Sequence, residues 1–235
     1  MKRLAIYFLV FCVGAGITSC NKKGCTDSTA SNFNINAKKD DGSCLYQVTD
    51  IEGNKYSYSS ICNQIWTSEN LRTKKYKNGD VIPQVQDVNS WGNLTTGAWC
   101  YYNNDPTKGI LYNWYAVTDP RGLAPEGWHV PSDMEYTTLI ECQGVATSAK
   151  KLNSTSGWIN NNGTNESGFT ALPRGFRTNL GNYDEYGLNG WWWTTSINPT
   201  NNAAKVFYIT DDNDVAKVGN CGAKMFGFSV RILKD

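Results

Sequence analysis

The sequence predicts a loop-rich domain of the β or α+β class, entered through an export leader and a short stapled spacer. One stretch, residues 127–144 (GWHVPSDMEYTTLIECQG), reads as a strand, a corner and a capped helix, while the rest of the core reads as short strand-like runs. Gly and Asn punctuate those runs and mark many turns. Aromatic residues make up 13% of the chain, with 9 Trp and 13 Tyr. At 235 residues there is room for one ordinary domain with small appendages. The 22 basic and 21 acidic residues leave a net charge of +1, without the basic excess of a nucleic-acid-binding protein.

The helix prediction is the most detailed. Trp128 and Val130 alternate with His129, and Pro131 stops the strand. Ser132 is an N-cap and Glu135, three residues on, completes a capping box. Asp133 places negative charge where the helix dipole favours it, Leu139 and Ile140 supply an apolar face with Met134 and Tyr136, and Gly144 ends the helix.

Taken from the beginning, residues 1–19 form an address. Lys2 and Arg3 precede an apolar run, residues 4–17, that is short for a membrane span. It ends in Ile17-Thr18-Ser19-Cys20, which resembles a bacterial lipobox. The resemblance implies a signal peptide cleaved before Cys20 and a lipoprotein carrying palmitate-type acyl chains there, several of which make a stable membrane anchor. The expected location is the bacterial cell envelope, at the outer membrane. No acidic residue follows Cys20 directly, so the periplasmic and surface faces both stay open.

Cysteine usage agrees with export. Cys12 leaves with the leader and Cys20 is acylated, so six of the eight cysteines remain for disulfides: Cys25, Cys44, Cys62, Cys100, Cys142 and Cys221. Residues 20–45 are polar and bracketed by Cys25 and Cys44, whose bridge would contribute roughly 3 kcal/mol in the chain-entropy model. The stretch GCTDSTASNFNINAKKDDGSC resembles short modules of exported Bacteroidetes proteins, with Phe33 where a Tyr is usual. Asp27, Asn32, Asp40 and Asp41, with Asn34 and Asn36, are hard oxygen donors that could hold a structural calcium, but their spacing is not that of an EF-hand. A solvated, disulfide-stapled spacer is the favoured reading. No CxxC spacing and a single His argue against a zinc site.

The core domain, residues 46–235, opens with a hairpin around Gly53-Asn54. A strand follows in residues 61–71, then a Lys-rich surface loop in residues 72–89. Residues 109–117 (GILYNWYAV) fit a strand or a short helix. After the capped helix, residues 145–152 suit a second short helix with Ala149 and Leu152 inward. Residues 169–176 form a strand broken by Pro173, Trp191 opens another, and residues 205–209 and 226–232 supply the last two.

Several motifs in order, IWTSENLRTKKYKNGDVIPQV, GAWCYYNNDP, GILYNWYAV, GWHVPSDMEYTTL, NESGFTALPRGFR, NGWWWTTS and GFSVRILKD, resemble the Fibrobacter succinogenes major paralogous domain over about residues 48–235. That family in turn resembles C-type-lectin-like and formylglycine-generating-enzyme-like folds. The resemblance implies an α+β, C-type-lectin-like domain with two helices and a small twisted antiparallel sheet joined by long loops. Family members often carry Cys in place of Ala124 and Ile232; if those two positions face one another, their joint absence is what one lost disulfide would look like. Of the three pairings open to Cys62, Cys100, Cys142 and Cys221, Cys62–Cys100 and Cys142–Cys221 are favoured.

The chemistry expected is recognition, not catalysis. His129 is the only His and lies in a strand pattern, and no phosphate loop, paired-His motif or nucleophile elbow occurs. The cysteine pair of formylglycine-generating enzymes is not matched, since only Cys221 lies in that region; a degenerate or altered enzyme of that type is the alternative. Aromatic faces with Asn and Asp suit sugars. The triplets of calcium-dependent lectins are missing, with Asn165-Glu166-Ser167 and Trp193-Thr194-Thr195 in comparable places. The lectin-like resemblance points to loops 180–190 and 198–220 as the recognition surface, with Tyr183, Trp192, Asp211, Asp212 and Asp214 as contacts for a glycan or protein ligand. No cofactor beyond the calcium considered above is expected.

Overall fold

The computed structural model describes residues 22–235. The leader and Cys20 lie outside the described residues. The chain divides into two compact units, residues 1–45 and 46–235.

Among the described residues of the first unit, a Cys25–Cys44 disulfide takes the place of a core. Cys25 and Ala30 are buried, whereas Phe33 and Ile35 stand exposed. Asn32 clasps the closing segment, donating from Nδ2 to Ser43 O (2.6 Å) and accepting at Oδ1 from Leu45 N (2.7 Å).

The second unit runs β1 (Gln47–Thr49), β2 (Lys55–Ile61), β3 (Gln64–Thr67), α1 (Val88–Gly92), β4 (Trp99–Tyr101), β5 (Ile110–Tyr112), α2 (Trp114–Val117), β6 (Trp128–His129), α3 (Asp133–Gln143) and α4 (Ser148–Leu152). It closes with β7 (Arg174–Arg177), β8 (Tyr183–Tyr186), β9 (Asn189–Ile197), β10 (Ala204–Thr210), β11 (Lys217–Cys221) and β12 (Leu233–Lys234). Three sheets result: β1-β2-β3-β12-β6, β11-β10-β9-β7-β8, and the pair β4-β5. The β7–β9 pairing is parallel, so the second sheet is mixed.

This overturns the expected C-type-lectin-like domain of two helices and one small antiparallel sheet. Only α3 reaches 11 residues, while the other α-helices have 4 or 5. The reason is local: residues 133–143 alone combine a capping box with a long run free of Gly and Pro. In that box Ser132 Oγ accepts from Glu135 N and Glu135 accepts from Ser132 N. Elsewhere Gly, Pro and Asn interrupt any 3.6-residue period, and the aromatic and β-branched runs pair as strands. Residues 109–117 are both things at once, β5 followed by α2, with the Asn113 side chain capping the helix.

Segment 226–232, expected to be a strand, is instead a seam through the molecule. Phe228 exchanges backbone bonds with Tyr112, Gly227 with Arg177, and Ser229 with Trp191 and Trp193. Leu71 N then donates to Val230 O and Thr67 N to Ile232 O. A Cβ on Gly227 would come within 3.0 Å of both Arg177 Cβ and the Trp91 ring, so glycine is required for the close approach.

Two fully buried arginines brace this seam, and backbone carbonyls serve as their counter-groups. Arg177 donates to Gly181 O, Val85 O and Gln86 O, with its guanidinium 4.4 Å from the Trp91 ring. Arg231 donates from Nη1 to Thr67 O and Phe169 O. Burial lowers its pKa to about 10.

The disulfides differ from expectation. Cys62 is bonded to Cys142, while Cys100 and Cys221 are free and buried. Helix α3 packs on the β2–β3 hairpin through Trp66 and Tyr136, ring centroids 5.0 Å apart, and this carries Cys142 to the hairpin turn. Cys100 lies in a separate small cluster with Trp91 and Leu111.

Candidate functional site

Asp50 (8% exposed) organises one end of the candidate site. Its carboxylate accepts from Glu52 N, Asn54 N, Asn54 Nδ2 and Tyr56 Oη, the last at 2.6 Å. The β1–β2 turn is thereby fixed, and Glu52 and Asn54 project from it. Burial and this bond to Asp50 keep the Tyr56 hydroxyl protonated, raising its pKa far above the ordinary value.

Residues 71–74 run past this turn with alternating burial: Leu71 and Thr73 inward, Arg72 and Lys74 outward. Arg72 N donates to Tyr56 Oη (3.1 Å), Arg72 Nη2 to Lys55 O (2.7 Å), and the guanidinium lies 4.6 Å from the Tyr56 ring centroid. The Lys74 ammonium hangs over Trp99 and Tyr101, 5.4 and 5.7 Å from their centroids.

These groups line a hollow of about 310 Å³ with Asn54, Tyr101 and Gly109. An adjoining hollow of about 230 Å³ shares Arg72, Gly109 and Ile110 and adds Glu69, Asn70, Thr170 and Arg174. Beside them Arg174 donates to Tyr186 Oη (2.9 Å), and Lys108 sits 4.8 Å from the Tyr186 ring and 5.5 Å from that of Tyr102. Tyr102 in turn packs on Tyr183 and Tyr186 at 5.2 and 5.0 Å. The result is a polar groove edged by tyrosine rings.

Among the described residues, Arg72, Lys74, Lys108 and Arg174 form no ion pair, as holds for most cations of the unit; Lys77, Arg121 and Lys205 pair with Glu126, with Asp80 and Asp119, and with Asp133. The carboxylates of the groove are turned to the backbone: Glu52 accepts from Lys74 N and Glu69 from Ser57 N.

Two other hollows differ in character. One of about 350 Å³, lined by Ile51, Leu123, Pro125, Lys77 and Glu126, has its cation neutralised. The other, about 230 Å³, is walled by Phe176, Trp191, Phe226 and Phe228, with the Cys221 thiol beside them. That thiol donates to Ala223 O, and burial raises its pKa to about 11; burial also raises that of Cys100. Neither carries much thiolate at neutral pH.

The five residues expected to contact a ligand do not converge. Tyr183 lies on β8 at one edge of the mixed sheet and does join the tyrosine edge of the groove. Asp211, Asp212 and Asp214 sit in the β10–β11 turn towards the other edge. Asp211 is buried, accepting from Asn160 N and Nδ2 and from Asn161 N at 2.6–2.9 Å. Asp214 accepts from Asn161 Nδ2 (3.0 Å), and Asp212 is exposed. Trp192 is fully buried; β9 has neighbours on both edges and packing on both faces, Trp192 in one core cluster and Trp193 in another. It acts from below, donating from Nε1 to Asn70 Oδ1 (2.9 Å) at the groove floor. Arg72 and Lys74 escaped sequence reading because they lie in a Lys-rich stretch; the signal available was the in–out alternation of Leu71 to Lys74.

His129 is clamped, its Nδ1 2.6 Å from Asp235 Oδ1 and its Nε2 2.9 Å from Glu135 Oε1. Partial burial works against protonation, but the two carboxylate hydrogen bonds outweigh it and raise the imidazole pKa. With both ring nitrogens occupied, this side chain has no free lone pair to act as a base. In the spacer, Asp27, Asp40 and Asp41 accept from the backbone N–H two residues on, as turn caps, and Asn32 makes the clasp described above. No group of three or more His, Cys, Asp or Glu that could hold a metal occurs among the described residues, and no described helix is long and apolar enough to cross a membrane.

The family described as Fibrobacter succinogenes major domain matches residues 60–234, which span α3, the tyrosine edge, both buried arginines and Arg72 to Lys74. No curated protein and no solved structure matches the chain.

Proposed function

This chain belongs to the Fibrobacter succinogenes major domain family, and from that premise we propose that it is an exported, lipid-anchored envelope protein whose second unit binds a glycan without chemical turnover. Membership in the family supplies no activity, so the reading rests on the groove. The lipobox-like Ile17-Thr18-Ser19-Cys20 and the disulfides support export and anchoring through Cys20.

One observation carries the ligand class: two adjoining hollows share Arg72 and together present amide, guanidinium, ammonium, hydroxyl and tyrosine-ring groups to solvent. Such a lining matches a sugar, with hydroxyls to bond and apolar ring faces to cover. The doubly engaged His129 and the protonated, buried thiols of Cys100 and Cys221 support a binding role over an enzyme of the formylglycine-generating type.

Glycan-array binding by the full chain tests this. The expected result is binding to a restricted set of glycans, unchanged by a chelator and lost on Arg72→Ala. Absence of signal on every glycan contradicts the reading and turns attention to a protein ligand; loss of signal in chelator contradicts the metal-free site.

A further inference from the structure

Resting on the glycan reading, we propose that the groove selects an acidic saccharide, one whose sugar rings carry carboxylates, with Arg72 and Lys74 as the anion-reading pair and Arg174 extending the contact into the second hollow.

Three observations lead there. The first is spacing. Arg72 and Lys74 are two residues apart in the chain, Arg72 exposed and Lys74 half-buried, and both line the first hollow. Anions spaced along a sugar chain would meet cations spaced along the protein chain.

The second is unfilled bonding capacity. Arg72 uses Nη2 for Lys55 O and its face for Tyr56, leaving Nη1 and Nε with no hydrogen bond among the described residues. Lys74 has its ammonium over two rings and donates no hydrogen bond from it among the described residues. Arg174 donates from Nη1 to Tyr186 Oη, which fixes the plane of its fork.

The third is the treatment of carboxylates nearby. Glu52 and Glu69 line the same two hollows, each with one oxygen on a backbone N–H, and neither forms an ion pair with Arg72, Lys74 or Arg174. Cations beside ring faces, none of them in an ion pair among the described residues, fit a ligand that brings the negative charge.

Calorimetric titration of the full chain with galacturonic-acid oligosaccharides, and with neutral galactose oligosaccharides of equal length, tests the inference. The acidic series is expected to bind at least about 10-fold more tightly. That advantage should shrink from about 0.15 M to about 1 M salt, as the screening length falls from about 8 to about 3 Å. Arg72→Gln with Lys74→Gln should abolish it while the near-ultraviolet circular dichroism stays unchanged. Equal affinity for the two series overturns the acidic preference and leaves the glycan reading standing. Binding of neither series, on top of a silent glycan array, removes both. Acidic binding that survives the double substitution with its salt dependence intact overturns the assignment to these residues.

Discussion

The groove around Arg72 and the β10–β11 turn around Asp211 look alike in sequence, since both are polar, charged and flanked by strands. In the structure they do opposite work. Asp211 spends both carboxylate oxygens on Asn160 and Asn161, pinning one loop to another. Arg72 and Lys74 keep most of their hydrogen-bonding capacity facing solvent. A charged side chain is available to a ligand only when the protein's own backbone has not already claimed it. The two buried arginines make the same point from the other side: Arg177 and Arg231 are as cationic as Arg72, yet carbonyl oxygens saturate most of their donors.

The contrast can be broken by substitution, and the largest effect is expected from the framework on which both regions hang. Cys62→Ser removes a disulfide closing 80 residues of chain and should cost about 4 kcal/mol in urea unfolding under oxidising conditions. Cys100→Ser should leave the oxidised framework intact, and peptide mapping should recover Cys62 linked to Cys142.

Next in size, Asp211→Ala removes a buried carboxylate and the part-buried bonds that tie it to Asn160 and Asn161, and should lower stability by about 2 kcal/mol. The glycan affinity of the protein that remains folded should be unchanged. Arg72→Ala and Lys74→Ala should do the reverse, with a loss of binding and a stability change of no more than about 1 kcal/mol from the lost Lys55 and Tyr56 contacts of Arg72.

The smallest effect concerns His129. Its folded pKa lies above the ordinary 6.5, so the clamp contributes its full stabilisation below about pH 6.5 and loses it as pH rises through the raised folded value. Unfolding midpoints should fall over that window in the wild type, and His129→Gln should flatten the slope.

What could be read in the sequence was whatever one segment decides for itself. The α3 cap, the β1–β2 hairpin and the short helix at residues 148–152 depend on neighbours a few residues away. The seam at residues 226–232 could not be read, because its partners Tyr112, Arg177, Trp191 and Thr67 come from four distant stretches. The cysteine pairing failed for the same reason, since it follows from how α3 lies on the β2–β3 hairpin. Trp192 was misread because an indole in a central strand looks the same in sequence as one on an edge. Arg72 and Lys74 were read as ordinary surface because nothing local shows that Glu52 and Glu69 bond elsewhere.

Amide chemical-shift mapping with an isotopically labelled chain and a glycan hit from the array tests the central claim most directly. Shifts concentrated at Asn54, Arg72, Lys74, Tyr101 and Gly109, with Asp211 to Asp214 silent, are the expected result. Shifts centred on the β10–β11 turn, with Arg72 and Lys74 unmoved, would contradict it.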